Sequence, residues 1–473
     1  MSQRKFVDRD RELRFLNERY ATDTAECIVL YGRRRVGKTA LLLQFLGARP
    51  GIYFLASEEG DARNIREFAH HAALFLQDPG FELPQYAGWD SLFSAFVHHT
   101  AFTRRPPDEK IVIVIDEFPY LIAKNPAIPS LFQKCWDTIL STTPVMLILS
   151  GSSVSTMETK VLGAASPLYG RRTGQWQVQP LPFPCIRQFV PYSGEECAMT
   201  WFVLGGIPAY LLQFNPRQSF RDNIRLALLS RGAYLATEGD LLLTYEFREP
   251  ANYRVIFRAL ASGCTTLADI CNETGLDKGM VSKYLSVLIR LHIVNDEIPV
   301  TASPRFRKRH YIIADPYLSF YYRYIIPNRI DLEAERSSEV LERIESTFSE
   351  YAGRMFEQLV LDLIRTKVLL DDLHLTTLGR WWFREQEIDI VGLDESAGRI
   401  LFCECKWCNL TRAEAKRILS DLKKKSVEVR WRNDRRDEVF SLIGKRIEGK
   451  EELRVEGYRV YDLDDIPMRI PVS

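Results

Sequence analysis

The sequence predicts an α/β fold: strands alternating with helices around a parallel sheet, then a smaller helical unit, then a second α/β unit. Three observations predict it. First, the apolar stretch Cys27-Ile28-Val29-Leu30-Tyr31 runs into Gly32-Arg33-Arg34-Arg35-Val36-Gly37-Lys38-Thr39 and then into the apolar helical segment Ala40 to Leu46. Strand, G-x-x-x-x-G-K-T, helix is the context a phosphate-binding loop requires. Second, Ile111-Val112-Ile113-Val114-Ile115 is a run of β-branched aliphatics suited to a strand buried on both faces, and it ends in Asp116-Glu117. Third, Glu387 to Gly392 and Ile400 to Trp407 read as two strands near the C-terminus, carrying charged residues among apolar ones.

The chemistry of the first two motifs is complementary. Glycines let the loop backbone curl with its N–H groups inward, and the helix start adds the favourable end of its dipole. Lys38 is placed to reach β- and γ-phosphates, and Thr39 to put a hydroxyl on Mg²⁺. Ligands of α/β sheets bind at the C-terminal edge of the strands, where Asp116 and Glu117 stand. Asp116 is the candidate metal-side acid, and Glu117 the candidate base for an attacking water.

The chain has 473 residues, enough for about three domains of roughly 150 residues each. It is 46% hydrophobic and 26% charged, an ordinary globular balance, with a net charge of +1 that leaves the choice of partner to local patches. Nine scattered cysteines fit free thiols in a reducing compartment better than a disulfide framework. No run of about 18 apolar residues suggests a membrane helix. Met1-Ser2-Gln3-Arg4-Lys5-Phe6 has no apolar signal core, so the expected location is cytoplasmic.

In chain order, Phe6 begins an amphipathic helix through Tyr20. Gly51 to Ala56 reads as a strand, followed by helical stretches Asp61 to Gln77 and Trp89 to Thr100. Val145 to Ser150 is another buried strand, leading into Gly151-Ser152-Ser153. Ser150 and Ser152 are either polar sensors of the γ-phosphate or a simple strand-to-turn cap. Arg171 and Arg172, between glycines, either contact a γ-phosphate or pair with surface acids. Pro180-Leu181-Pro182-Phe183 closes the sheet region, and Glu195 to Ala236 turns helical. That helical tract is interrupted by Gly205-Gly206-Ile207-Pro208, either a packing device near a bound base or a plain helix break.

Tyr253 to Asp296 has the pattern helix, short turn, helix, with Lys278, Ser282 and Lys283 on the exposed side of the last helix. Ile298-Pro299-Val300 and His310 to Ile313 are expected to pair as a wing tipped by Arg305, Arg307, Lys308 and Arg309. Such a unit either meets DNA phosphates or serves as a spacer. The aromatics Tyr317, Phe320, Tyr321, Tyr322 and Tyr324 read as core, and Asp331 to Glu345 as a helical link. Beyond it, Arg354 to Val360 opens a helix carrying Glu357. Asp389 and Glu404 are candidate Mg²⁺ ligands for phosphodiester hydrolysis, with Lys406 beside them and Glu357 completing the site. Glu404 and Lys406 are alternatively a structural ion pair, and Cys403, Cys405 and Cys408 alternatively zinc ligands. The basic helix with Arg412, Lys416, Arg417, Lys423, Lys424 and Lys425 either tracks a nucleic-acid backbone or is a solvated face.

This ordered set, from Phe6-Val7-Asp8-Arg9-Asp10-Arg11-Glu12 through the phosphate loop, Ile115-Asp116-Glu117, Gly151-Ser152-Ser153 and Pro167-Leu168-Tyr169-Gly170-Arg171-Arg172 to Gly205-Gly206-Ile207-Pro208, resembles the prokaryotic archaeal-ATPase family. That family belongs to the STAND branch of the AAA+ P-loop ATPases. The C-terminal part resembles a domain often fused to it that is similar to PD-(D/E)xK nucleases. The resemblance implies a P-loop AAA+/STAND core over residues 1–190, a helical lid over 191–245, a winged helix-turn-helix over 246–330 and a PD-(D/E)xK-like α/β domain over 331–473. It implies ATP or ADP as ligand with Mg²⁺. Phosphates fall to Gly32, Arg35, Val36, Gly37, Lys38, Thr39 and Ala40, the metal to Thr39 and Asp116, and the base role to Glu117. Arg9 would lie in the segment covering the nucleotide, Pro208 near the adenine, and Arg171 or Arg172 at the γ-phosphate. Where this chain has Asp8 the family usually has glycine, which leaves the backbone geometry there open. Glu357, Asp389, Glu404 and Lys406 match the acidic and lysine positions of the nuclease-like domain. The expected function is ATP binding and hydrolysis coupled to DNA processing. The alternative is a signalling scaffold that binds a partner without cutting nucleic acid. Candidate partners are DNA and further copies of the chain, with no membrane.

Overall fold

A computed structural model of the chain describes residues 6–106, 109–247 and 249–467. The segment before Phe6, read above for a signal core, lies outside the described residues. The chain forms two compact units. The first contains residues up to Pro180 together with Ile207–Ala209, and the second contains Leu181–Gly206 and the chain from Tyr210 onward.

The first unit is built on a five-stranded parallel sheet. Its strands are β1 (Glu26–Tyr31), β2 (Gly51–Leu55), β3 (Ile111–Asp116), β4 (Val145–Gly151) and β5 (Gly174–Gln177), in the order β2-β3-β4-β1-β5. The three central strands, β3, β4 and β1, are buried along their whole length, as their unbroken apolar runs require. Strand β5 is four residues long and only partly buried, so no apolar run announces it. With β4 between them, β1 and β3 lie about 10 Å apart, at the roughly 4.8 Å strand spacing. Their C-terminal ends therefore open on one crevice, where the order of connection reverses.

The first helix starts at Asp10 rather than Phe6. Asp8 and Arg9 both take positive φ, 57° and 86°, so two consecutive left-handed residues hold the chain out of the helix. Asp8 thus takes a left-handed conformation of the kind glycine adopts readily.

The second unit begins with helical sequence. Gly206 sits there because its backbone approaches another strand of chain: a Cβ at this position would lie 1.8 Å from the Leu181 carbonyl oxygen. Leu181 N–H donates to the Gly206 carbonyl at 2.7 Å, so the glycine pair has a packing job and is not a mere helix break.

Helices Pro250–Ala261, Leu267–Thr274 and Lys278–Arg290 follow, the last two capped by the side chains of Thr266 and Asp277. An antiparallel hairpin, β6 (Val294–Glu297) with β7 (His310–Ile313), follows these helices in the place where a wing is expected. The first wing strand lies four residues before the expected Ile298–Val300. Pro299 lacks an N–H for a ladder, and Val300 N–H donates instead to the Arg380 carbonyl at 3.0 Å. The aromatics Tyr317, Phe320, Tyr321, Tyr322 and Tyr324 are buried core.

Residues 354–360 do not open a helix; they belong to a 29-residue helix, Ser337–Arg365, that absorbs the expected link. A mixed five-stranded sheet follows, with strands β8 (Thr377–Phe383), β9 (Gln386–Asp394), β10 (Arg399–Leu410), β11 (Asp437–Ile447) and β12 (Arg459–Tyr461) in the order β12-β11-β10-β9-β8. β8, β9 and β10 are antiparallel, and β10, β11 and β12 parallel. The helix Arg412–Ser426 packs on it through Leu419 and Leu422, opposite Phe402 and Leu442. No helix of the described residues is long and apolar enough to cross a membrane.

Candidate active site

At the end of β1 the chain turns through the glycine-rich loop and enters the helix Lys38–Leu46. Gly37 caps that helix with φ 97°, a conformation a side chain rarely adopts. The Lys38 ammonium, buried, donates to the carbonyls of Gly32 at 2.8 Å and Arg33 at 3.0 Å, so it spans its own loop. Thr39 Oγ1 donates to Asp116 Oδ2 at 2.8 Å. The two motifs, 77 residues apart in sequence, thus meet.

Asp116 is 1% exposed, and a second hydroxyl reaches it: Tyr53 OH donates to the same Oδ2 at 2.8 Å. Burial first, then the Asp116 charge, pushes the Tyr53 phenol well above its usual range. It therefore stays a neutral donor. Sequence reasoning missed Tyr53. The signal was its place two residues before Leu55, which stands opposite Asp116 in the parallel pairing of β2 with β3.

Glu117 takes φ 54° and caps the next helix, Phe118–Lys124. A non-glycine residue held left-handed costs on the order of 1 kcal/mol or more, and such strain concentrates at functional positions. Its carboxylate accepts from Ser152 Oγ at 2.8 Å and from Ser152 N–H at 3.3 Å. Ser152 therefore orients Glu117. Ser150 Oγ is buried with no hydrogen-bond partner among the described residues. Among the described residues neither Asp116 nor Glu117 is in an ion pair; hydroxyl and backbone donors hold both.

The other expected nucleotide residues divide. Arg9 is buried and donates to the Val36 carbonyl at 2.7 Å, the Gln179 carbonyl at 2.9 Å and Glu12 at 2.9 Å. It fastens the N-terminal segment to the back of the phosphate loop. Arg35 is left-handed within that loop, and Val36 is fully buried. Pro208 Cγ lies 3.9 Å from where a Cβ on Gly37 would stand, which brings the Gly-Gly-x-Pro segment to the loop. Arg171 instead forms a forked pair with Asp137, at 3.1 and 3.3 Å, on the surface. Arg172 donates to the Leu162 carbonyl at 3.2 Å and lies over the Tyr169 ring. Arg171 thus pairs with a surface acid, while Arg172 rests on a carbonyl and a ring.

Thr39 and Asp116 are hard oxygen donors side by side, and they suit Mg²⁺, which takes few protein ligands and completes its shell with phosphate oxygens and water. The donor set therefore fits the ion that the motif implies.

The C-terminal cluster is built differently. Asp389 at β9 and Glu404 on β10 come together around Lys406, whose ammonium lies 3.1 Å from Asp389 and 2.7 Å from Glu404. Lys425, from the helix Arg412–Ser426, takes the other Glu404 oxygen at 2.9 Å. Cys405 N–H donates to Asp389 at 2.8 Å. Glu357 pairs with Arg380 at 3.2 Å. Burial, then the Asp389 charge, pushes the Glu357 carboxyl up to about 7 against the opposing pull of Arg380. Burial likewise raises Glu404. Burial would lower Lys406, but Asp389 and Glu404 outweigh it and raise its pKa.

Ammonium groups thus already stand on the two carboxylates meant for Mg²⁺, and among the described residues no three ligand-type side chains gather as a metal site. As they stand, these residues do not fit a divalent cation. Zinc fares no better: Cys403 and Cys405 are buried, Cys408 is exposed, and burial raises the Cys405 thiol far from its ligating form. The basic helix is largely spoken for as well. Arg412 and Lys416 pair with Glu456, Lys424 with Asp421 and Lys425 with Glu404, while Lys423 lies over Tyr458.

A parallel sheet with a phosphate loop after its first strand and an acidic pair after its third defines a P-loop ATPase. The comparisons name the family. Residues 6–214 match the model of an ATPase domain predominantly from Archaea, and residues 321–418 match one described as archaea bacterial proteins of unknown function. The Methanocaldococcus jannaschii uncharacterized protein MJECL04 is 35% identical over 463 residues, covering 97% of this chain and 99% of its own length. The chain belongs to this archaeal ATPase family. The uncharacterized ATP-binding protein MJ0423 of the same organism is 54% identical over 41 residues, 9% of this chain and 70% of that protein. The Walker-type ATPase PABY2304 of Pyrococcus abyssi shares the fold, with a TM-score of 0.52 at 21% identity over 68% of this chain and 97% of that one.

Proposed function

We propose that the chain is an ATP-driven switch whose nucleotide site governs a nucleic-acid-binding second unit. The observation that carries this reading is the pairing of Thr39 with Asp116 beside the Ser152-oriented Glu117, at the C-terminal edge of the parallel sheet. In this reading the loop N–H groups and Lys38 hold the β- and γ-phosphates, and Arg9 keeps the loop in shape by gripping the Val36 carbonyl. Thr39 and Asp116 would hold Mg²⁺, which when bound neutralises charge on the phosphates. Glu117, fixed by Ser152, takes the proton of the attacking water. Pro208 stands at Gly37, and its peptide neighbours lead within a few residues to Gly206 and Tyr210 of the second unit, so the loop's state has a covalent route out of the first unit.

The second unit supplies the output: a winged helix-turn-helix and a C-terminal α/β domain. The lysine-filled Asp389–Glu404 cluster favours binding over cutting for that domain. The test is ATP hydrolysis by the purified chain. Lys38→Ala is expected to abolish nucleotide binding. Glu117→Gln is expected to keep ATP binding and lower turnover by about 10²–10⁴-fold. Unchanged nucleotide affinity in Lys38→Ala would refute the reading.

A further inference from the structure

A groove of about 1120 Å³ lies wholly within the second unit, between the helix Leu267–Thr274, the wing loop and the end of β8. Two kinds of side chain line it. The first is cationic. Lys278, Arg307, Lys308, Arg384 and Arg430 are all exposed, and among the described residues none is in an ion pair. Glu428 is the one acid among the described lining residues, and Arg309 is already neutralised by Asp296. Five uncompensated cations in one groove repel one another, and an anionic ligand relieves that repulsion.

The second kind is aromatic. Trp382 and His310 are stacked, with centroids 4.4 Å apart and planes within 9°. Burial, then the nearby Arg380 charge, lowers the His310 pKa, so the stacked imidazole is neutral at pH 7. Phe383 is 43% exposed at the end of its strand, with the Arg384 guanidinium 5.1 Å from its centroid. An exposed phenyl in a basic groove contributes little to folding, but it offers a flat apolar face to a ligand.

We propose that this groove binds single-stranded nucleic acid, with phosphates on Arg307, Lys308 and Arg430 and bases against the Phe383 and Trp382 rings. Cations that follow a backbone, interleaved with stacking platforms, are the features that recognise unpaired strands. A duplex keeps its base faces stacked inside and presents none to Phe383. An acidic peptide matches the cations but has no planar groups for the rings. The proposal deepens the reading of the second unit as a nucleic-acid module and rests on it.

The test uses the full chain and fluorescence anisotropy with labelled oligothymidine and oligouridine, with duplex DNA and polyglutamate as competitors. Oligothymidine or oligouridine is expected to bind, with affinity falling steeply with salt. Phe383→Ala, an exposed position that folding does not need, is expected to weaken binding about 10-fold. Arg307→Glu with Lys308→Glu is expected to weaken it further and flatten the salt dependence, while ATP turnover stays unchanged in both. Wild-type affinity in Phe383→Ala overturns the proposal, as does displacement of the oligonucleotide by duplex or polyglutamate at equal charge. Absence of oligonucleotide binding with normal ATP turnover sinks the groove alone. Absence of turnover with intact binding sinks the ATPase reading and leaves the groove.

Discussion

The phosphate-loop site and the C-terminal cluster both gather carboxylates on a sheet, but they hold them by opposite means. Asp116 and Glu117 are held by neutral donors: the hydroxyls of Thr39, Tyr53 and Ser152 and backbone N–H groups. Neutral donors fix direction and leave the negative charge in place. Asp389 and Glu404 are held by Lys406 and Lys425. Cationic donors fix direction and cancel the charge. The first arrangement keeps its charge for an incoming cation. The second has spent it on the fold.

Deleting one donor from each site separates the two designs. Lys406→Met leaves two buried carboxylates facing each other. Breaking a buried pair costs about 3–5 kcal/mol, but the Lys406 side chain is 36% exposed, so solvent screening reduces the expected loss to about 1–3 kcal/mol. Tyr53→Phe removes one of two hydroxyls on an oxygen that Thr39 still serves, and is expected to cost at most about 1 kcal/mol. Urea unfolding of both variants checks the ranking. A Tyr53→Phe loss equal to that of Lys406→Met breaks the distinction.

A smaller effect sharpens it through pH. The folded Glu357 carboxyl titrates near 7, above its unfolded value of roughly 4.3. Its contribution to stability is therefore complete below about pH 4 and is lost as pH rises through 7. The expected loss between pH 5 and pH 8 is on the order of 1–3 kcal/mol, and Glu357→Gln is expected to remove that part of the slope. Parallel pH profiles for the variant and the parent would contradict it.

The phosphate loop and the acids after β3 were legible because each is contiguous: a strand, a motif and a helix in order. The buried central strands were legible for the same reason, since β3 and β4 are unbroken apolar runs. What escaped depends on which strands become neighbours. Tyr53 reaches Asp116 only because β2 pairs with β3, and nothing local marks one strand tyrosine as a ligand of a distant acid. Lys425 reaches Glu404 across 21 residues and two elements, so the basic helix read as a nucleic-acid track or a solvated face rather than as a partner of the acids. The wing shifted because Val300 found its hydrogen bond on Arg380, a tertiary contact that no hairpin pattern encodes. The left-handed geometry at Asp8, left open by the replacement of glycine, is one that Asp tolerates better than most residues.

The most direct test of the contrast between the two sites is Mn²⁺ binding, followed by electron paramagnetic resonance with and without a non-hydrolysable ATP analogue. It compares the parent chain with Asp116→Asn and Asp389→Asn. The account predicts a nucleotide-dependent Mn²⁺ site that Asp116→Asn weakens by about 10-fold or more, a loss of roughly 1.4 kcal/mol, and that Asp389→Asn leaves untouched. Mn²⁺ bound without nucleotide, and lost in Asp389→Asn, would show that the lysines yield their carboxylates to a metal and would contradict the account.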